Sequence, residues 1–379
     1  VHAMDSLGLR LYATQHKNSR MLDMEQLRNW VRDEAAKVPG LKFSDAFILS
    51  EWVELVDAWQ LSTWNEYRDV KRLGRKTRLS ESQRQMLWQV FEGLMARMNA
   101  AGAVTTAAIF STLSNLMKER SHPVFDYVVV DEAQDISVTQ LQFLAAMAGD
   151  RPNGLFFAGD LGQRIFQTPF SWKSIGVDIR GRSRNLSINY RTSHQIRMQA
   201  DRLLGPEVAD VDGNVEDRSG TISVFNGPQP LVSGFDSEMA EIEAVGSWLN
   251  SRLSEGLQPQ EIAVFVRSGS QIGRAIDACK YAGAAVVILD EKVAGEPESI
   301  SVSIMHLAKG LEFRAVAVIA CDDEVIPLQG RIESIADSAD LEEVYNTERH
   351  LLYVACTRSR DYLWVSGVEP VSEFLDDLI

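Results

Sequence analysis

Cysteine is scarce in this 379-residue chain. The 3 that occur, Cys279, Cys321 and Cys356, are widely spaced and form no C-x-x-C pair. Neither a disulfide framework nor a thiolate zinc site is indicated, and a reducing cytoplasm fits. Long apolar runs are missing too. None approaches the about 18 unbroken apolar residues of a membrane-spanning helix, and no charged start leading into an apolar stretch marks a signal peptide. The expectation is a soluble, cytoplasmic protein with no membrane partner. Positive charge is in deficit, with 38 Lys and Arg against 53 Asp and Glu and a net charge of -15. That balance counts against a general electrostatic binder of nucleic acid, which needs clustered cations. Finally, the chain opens Val1-His2-Ala3-Met4 rather than on an initiating Met, and the expectation is that something upstream is absent.

What is present is enough for two cores, since hydrophobic residues make up 45% of the chain. Cations collect locally in two places, Lys71, Arg72, Arg75, Lys76 and Arg78, and Arg180, Arg182, Arg184 and Arg191 after Trp172. Either stretch by itself reads most simply as a solvated face. Residues 20–120 read as helical. Ser80-Glu81-Ser82-Gln83 has the form of a capping box, and Met86, Leu87, Val90, Phe91, Leu94, Met95 and Met98 then recur at helical spacing, a core stripe that ends near Gly102. From Phe125 short apolar runs alternate with helical patterns, at 127–130, 155–158, 262–266, 301–305 and 315–320. This is an α/β texture, with apolar strands suited to a parallel sheet and functional residues expected just beyond the strands' carboxyl ends.

The strongest local signal is Val128-Val129-Val130-Asp131-Glu132-Ala133-Gln134-Asp135, an apolar strand that delivers adjacent carboxylates at its exit. Such a pair suits Walker B chemistry. Asp131 would hold Mg²⁺, and Glu132 would orient and deprotonate the water that attacks a γ-phosphate. The bland alternative is a strand ending in an acidic helix cap. A second strand leads into Gly159-Asp160-Leu161-Gly162-Gln163, where Gln163 would sense the γ-phosphate if the two strands are neighbours. Phe166, Phe170 and Trp172 follow closely, and either stacking on unpaired bases or core packing explains them.

Asp131-Glu132-Ala133-Gln134-Asp135 and Gly159-Asp160-x-x-Gln163 resemble motifs II and III of superfamily 1, UvrD/Rep-like DNA helicases. Asn189-Tyr190-Arg191-Thr192-Ser193 resembles motif IV, the run from Met305 to Phe313 motif V, and the run from Leu352 to Arg360 motif VI, all in family order. The resemblance implies two RecA-like parallel-sheet lobes of the P-loop NTPase fold, with ATP and Mg²⁺ between them and single-stranded DNA as partner, driven 3′ to 5′. Residues 1–180 would be an incomplete first lobe with a helical insertion over about 10–105, and 181–379 the second lobe. By the same resemblance Arg191 and Arg358 would neutralise the transferred phosphate, Tyr190 would stack on adenine, and Gly310 and Glu312 would contact the nucleotide. His306 and Lys309 would lie toward the DNA backbone or the relay between the lobes. The opening from Val1 to Arg10 resembles motif Ib, which places His2 at the DNA as well.

Two departures matter. No G-x-x-x-x-G-K-[ST] loop occurs anywhere, although ATP hydrolysis in this class needs one to cradle the β- and γ-phosphates. The nearest approach, Gly74-Arg75-Lys76-Thr77, reads as a basic loop. The expectation is therefore a chain truncated before motif Ib and nearly inactive alone, with the missing segment or another protein as further partner. The accessory duplex-binding insertion expected before motif V is also absent, because only a short link joins Ile288 to Ser301. The main rival is a non-catalytic helicase-like interaction scaffold. A superfamily 2 RNA helicase lacks support, having neither its Ser-Ala-Thr motif nor its Arg-rich motif VI here, and a metal-dependent nuclease would need more converging carboxylates.

Overall fold

A computed structural model describes the chain except residues 17–18, 73–77, 121, 123, 150, 161–169, 205–206, 210–214, 218–219, 291–295 and 334–337. Among the described residues, 1–160 with 170–182 form one compact unit and 183–379 the other. No helix among them is long and apolar enough to cross a membrane.

The first unit begins with α1 (Met4–Ala13), β1 (Arg20–Met21), α2 (Met24–Ala35) and α3 (Asp45–Glu51), which runs on into a π-helical turn, Trp52–Asp57. Then come α4 (Trp64–Asp69), α5 (Glu81–Ala101), β2 (Ala103–Val104) and α6 (Thr106–Lys118). Local chemistry sets these boundaries. Ser80 and Gln83 complete the capping box of α5, and Gly102 ends the helix at φ 60°, a left-handed conformation that glycine adopts at no steric cost. Leu87, Val90, Phe91, Leu94 and Met98 are buried as the helical spacing required, and Trp88 joins them against Trp52 and Tyr67. The helical stretch is nonetheless bracketed by a parallel ladder, Arg20 beside Ala103 and Met21 beside Val104. Two residues per strand are too few for alternation to show in the sequence.

A smaller sheet follows. β3 (Val128–Val130) pairs in parallel with β4 (Leu155–Phe157), joined by α7 (Val138–Ala148), whose start is fixed by a Ser137–Gln140 capping box. One face of this sheet, Val128, Val130, Leu155 and Phe157, packs on α6 and α7.

The second unit contains β5 (Ile188–Asn189), α8 (His194–Ala200), β6 (Glu207–Ala209), β7 (Val215–Asp217), β8 (Ile222–Ser223), β9 (Leu231–Phe235), α9 (Glu238–Ser254) and β10 (Ile262–Val266). It continues with α10 (Ile272–Tyr281), β11 (Ala285–Ile288), β12 (Ser299–Ile304), β13 (Phe313–Val318), α11 (Gln329–Ile332), α12 (Ser338–Cys356), β14 (Ser359–Val368) and α13 (Phe374–Leu378). Six of its strands form one all-parallel sheet in the order β11-β12-β10-β13-β14-β9. Alternate residues serve opposite faces, as strand geometry demands. Ala263, Phe265, Val316 and Val318 join one core with α8 and α12, while Ile262, Val264, Val266, Ala315 and Ala317 join another with α9 and α10. Each large side chain so buried contributes about 1.5–3 kcal/mol.

Candidate functional site

In the first unit the carboxylates stand where the apolar strand predicts. Asp131 follows β3 directly and is exposed, and its Oδ1 accepts a hydrogen bond from the Glu132 amide at 2.9 Å. Glu132 itself sits at φ 53°, a left-handed conformation that side chains seldom adopt and that turns the chain sharply off the strand. Because β3 and β4 are paired, with Val130 beside Phe157, the turn after β4 lies next to this bend. The backbone locks the two exits together, Ala158 donating to the Val130 carbonyl and Ala133 to the Ala158 carbonyl, both at 2.8 Å.

A residue that the sequence reading left without a role completes the junction. Gln134, almost fully buried, donates through Nε2 to Glu132 Oε2 at 2.5 Å and accepts through Oε1 from the Asp160 amide at 3.0 Å. The backbone donor fixes which end of the amide faces which partner. Glycine at 159 leaves room for this bridge, since a Cβ there would stand 2.5 Å from Gln134 Oε1 and push the amide aside. Gln163 and Phe166, the next two candidates, lie outside the described residues, as does the Gly74–Thr77 basic loop.

The aromatic candidates of this unit make ring contacts within it. Trp172 lies edge-on to Phe157 at 4.8 Å, and Phe170 edge-on to Trp59 at 6.4 Å. His2 is exposed and shares a hydrogen bond with Arg10 at 2.8 Å. In the basic run, Arg72 is no solvated cation. Its side chain is buried against the fully buried Glu51, with Nη2 donating to Oε2 at 3.0 Å, and Tyr67 donates to the same carboxylate at 2.9 Å. Burial first, and the Glu51 charge second, push the Tyr67 phenol far above its usual range.

In the second unit several candidates converge on one backbone carbonyl. Arg191 donates through Nε to Glu312 Oε2 at 2.9 Å and through Nη2 to the Leu311 carbonyl at 3.3 Å. Arg358 donates through Nη1 to the same carbonyl at 3.4 Å and through Nε to the Val354 carbonyl at 3.0 Å. The surroundings of the two arginines differ, for Arg191 is part-exposed whereas Arg358 is only 1% exposed. Asn189 shapes the motif IV turn by accepting from the Arg191 and Thr192 amides at 2.8 and 3.2 Å, which leaves Tyr190 projecting at 72% exposure. Gly310 turns the chain at φ 76° just before Leu311.

The location departs from expectation. Glu312 and Arg358 do not follow strands but precede them, at the amino ends of β13 and β14, whose first residues Phe313 and Ser359 are partners. The reason is the short link 305–312, which leaves the carboxyl end of β12 and reaches the amino end of β13. His306 stays at the other end, partly buried, with its imidazole lowered to about 4 by burial first and by the Arg267 charge second. Lys309 lies between, also partly buried.

Residues 5–172 match the UvrD/REP helicase N-terminal domain, and residues 284–369 match the UvrD-like helicase C-terminal domain. In these two stretches the chain is similar to the two domains of UvrD-like helicases. It is 22% identical over 333 residues to ATP-dependent DNA helicase UvrD2 of Mycobacterium tuberculosis, covering 63% of this chain and 47% of that protein. It is 24% identical over 258 residues to a probable DNA helicase of Mycoplasma pneumoniae, covering 64% of this chain and 43% of the relative. The chain thus spans less than half the length of these relatives. The chain is 23% identical to the solved C-terminal domain of a possible DNA helicase from Lactobacillus plantarum, a match that covers 50% of this chain and 94% of that one at a TM-score of 0.33.

The UvrD-like family generally uses ATP and Mg²⁺. Among the described residues no group of three or more His, Cys, Asp or Glu side chains could cage a metal ion. A single exposed carboxylate at a strand exit, Asp131, nevertheless suits Mg²⁺, which keeps most of its waters and is shared with substrate phosphates.

Proposed function

We propose that this chain is part of an ATP-dependent DNA helicase or translocase of the 3′-to-5′ kind, built on two RecA-like lobes. In this reading ATP hydrolysis drives movement along single-stranded DNA. The observation that carries the reading is the convergence of motifs IV, V and VI, where Arg191, Glu312 and Arg358 gather around the Leu311 carbonyl. Those three motifs are far apart in sequence, and a fold kept only for protein contacts has no need to hold two guanidinium groups so close. Their mutual repulsion is offset by Glu312 and by backbone carbonyls, and a planar, permanently charged group is what a transferring phosphoryl needs.

In the first unit, Glu132 would accept the proton of the attacking water. Gln134 keeps that carboxylate turned toward the β4 turn, and the left-handed bend presents it beyond the strand end. Mg²⁺ bound with ATP would be held by Asp131 and would supply charge neutralisation on the phosphates. Tyr190, exposed and flat, offers a stacking face for adenine, and His306 and Lys309 would face the DNA backbone.

Turnover also requires a phosphate-cradling loop, which these 379 residues do not contain. The 379-residue chain alone is therefore expected to bind single-stranded DNA weakly and to hydrolyse ATP at no more than the rate of a protein-free control. The measurement is phosphate release with and without oligonucleotide, on this chain and on a version with a P-loop segment joined to it. Stimulation by single-stranded DNA only in the joined version supports the motor. Robust turnover by the chain alone sinks this assignment, and silence in both favours the interaction scaffold.

A further inference from the structure

The mechanism leaves buried charge clusters of the second unit unused, one around Glu241 and Arg274 and another around Glu348. Glu348, on α12, is fully buried and receives both prongs of the Arg267 guanidinium, Nε at 2.5 Å and Nη2 at 2.6 Å, together with Arg331 Nη1 at 3.0 Å. Arg267 is itself buried and directly follows β10, whereas Arg331 comes from α11. His306 feels the charges of all three. A carboxylate taken wholly out of water is costly unless well paired, and this one is held by a two-pronged arginine and a second cation.

Its place on α12 ties the cluster to the link 305–312. The link 305–312 begins at His306 and ends at Leu311 and Glu312. Glu348 stands near the His306 end. Arg358, about three helical turns further along and just past the end of α12, holds the Leu311 end through its carbonyl. One rigid helix thus grips both ends of the same crossing.

We propose that Glu348 is a positioning residue for motif V, clasping Arg267 and Arg331 beside His306 so that His306 and Lys309 are presented to the nucleic-acid backbone in register with Arg358. The proposal rests on the reading above, in which motif V faces single-stranded DNA. His306 stays neutral at physiological pH in this setting, so it serves as a shaped hydrogen-bonding group, and the cationic contact falls to Lys309.

The test is fluorescence anisotropy of an oligo-dT strand with the 379-residue chain, read beside the thermal midpoint. The main variant is the double substitution Arg267→Met with Glu348→Met, which removes both charges together and fills the space with apolar groups, a change that buried pairs often tolerate. The expected result is a loss of affinity on the order of tenfold at a nearly unchanged midpoint. A purely structural cluster would leave affinity intact once the fold is retained, and wild-type affinity in the folded double variant overturns the proposal. Should the double variant not fold, Arg267→Lys is read instead. It keeps the charge but loses the fork, and several-fold weaker binding at an unchanged midpoint is expected, with wild-type binding again overturning the idea. His306→Ala and Lys309→Ala are the controls. If neither weakens binding, or the parent chain does not bind the strand, the placement of DNA on motif V fails and the proposal falls with it. If they weaken binding and the Glu348 variants do not, the positioning role alone is lost.

Discussion

The two units build parallel strands under opposite conditions. In the second, β10 is flanked by β12 and β13 and is buried at every residue, with cores on both faces. In the first, among the described residues β3 and β4 pair only with each other, and while one face packs on α6 and α7 the other leaves Val129 74% and Phe156 64% exposed. Parallel sheets are ordinarily covered on both sides. The comparison teaches that the first unit takes its stability from helices, above all the α2–α5 cluster, and that β3 and β4 ride on one covered face. The second unit is held by its sheet.

The sharpest way to break that comparison is to cut matching aromatics. Phe265→Ala, from the heart of the large sheet, should destabilise the second unit by about 3–5 kcal/mol, because a buried ring leaves a cavity the neighbours cannot fill. Phe156→Ala, on the open face, should change stability by no more than about 0.5 kcal/mol. Urea unfolding followed by hydrogen exchange of the β10 and β3 amides separates the units. Equal losses for the two variants would mean that the open face is covered in solution.

Both units bury carboxylates against arginine, as Glu51 is in the first and Glu348 in the second. Glu51→Gln should cost about 3 kcal/mol, since Arg72 is then left buried without its counter-charge and the Tyr67 hydroxyl loses a strong acceptor. Removing Arg72 as well, as the pair Glu51→Met with Arg72→Met, should restore most of that loss in a thermal melt. A double variant no better than the single would show that the helical unit depends on the pair itself and not on avoiding a stranded charge.

A third contrast concerns pH. Asp57, at the end of the π-helical turn, is raised to about 6 by burial, which hydrogen bonds from Thr105 and Gln60 only partly oppose. The folded first unit therefore holds this proton more tightly than the unfolded chain does. Protonated Asp57 contributes stability that is fully present below pH about 4 and is lost as pH rises through about 6. Asp57→Asn should gain on the parent by on the order of 2 kcal/mol between pH 4 and 7. Parallel stability curves for the two proteins would remove Asp57 from the account.

Much of this was legible in the residues, for stated reasons. Short apolar runs leading to Asp131 and Gly159 announced two strands; their adjacency stood in the sequence only as a condition, which the pairing of β3 with β4 meets. Ser80, Gln83 and Gly102 fixed one helix at both ends because caps are local. What escaped the reading depends on contacts between distant residues. Arg72 looks like its basic neighbours until Glu51 is placed beside it, and Gln134 has no signature apart from the turn it bridges. Leu311 acts through a carbonyl, which every residue possesses. Glu312 and Arg358 were expected beyond strand ends and lie before strands, because nothing in the link 305–312 shows that it crosses back to the sheet's other edge.

The smallest effect is the most telling about function. Arg191 and Glu312 pair at 2.9 Å with both side chains part-exposed, and an ion pair so wet adds less than about 1 kcal/mol to stability. Arg191→Ala should therefore melt almost with the parent, while Arg358, packed within its unit, should be less forgiving. If the pair exists for chemistry, the same Arg191→Ala substitution in the P-loop-joined version should reduce turnover by on the order of a thousandfold, as the loss of an arginine that neutralises a transferring phosphate does. A variant with unchanged turnover would reduce the Arg191–Glu312 contact to surface decoration and leave Arg358 as the remaining candidate for that task.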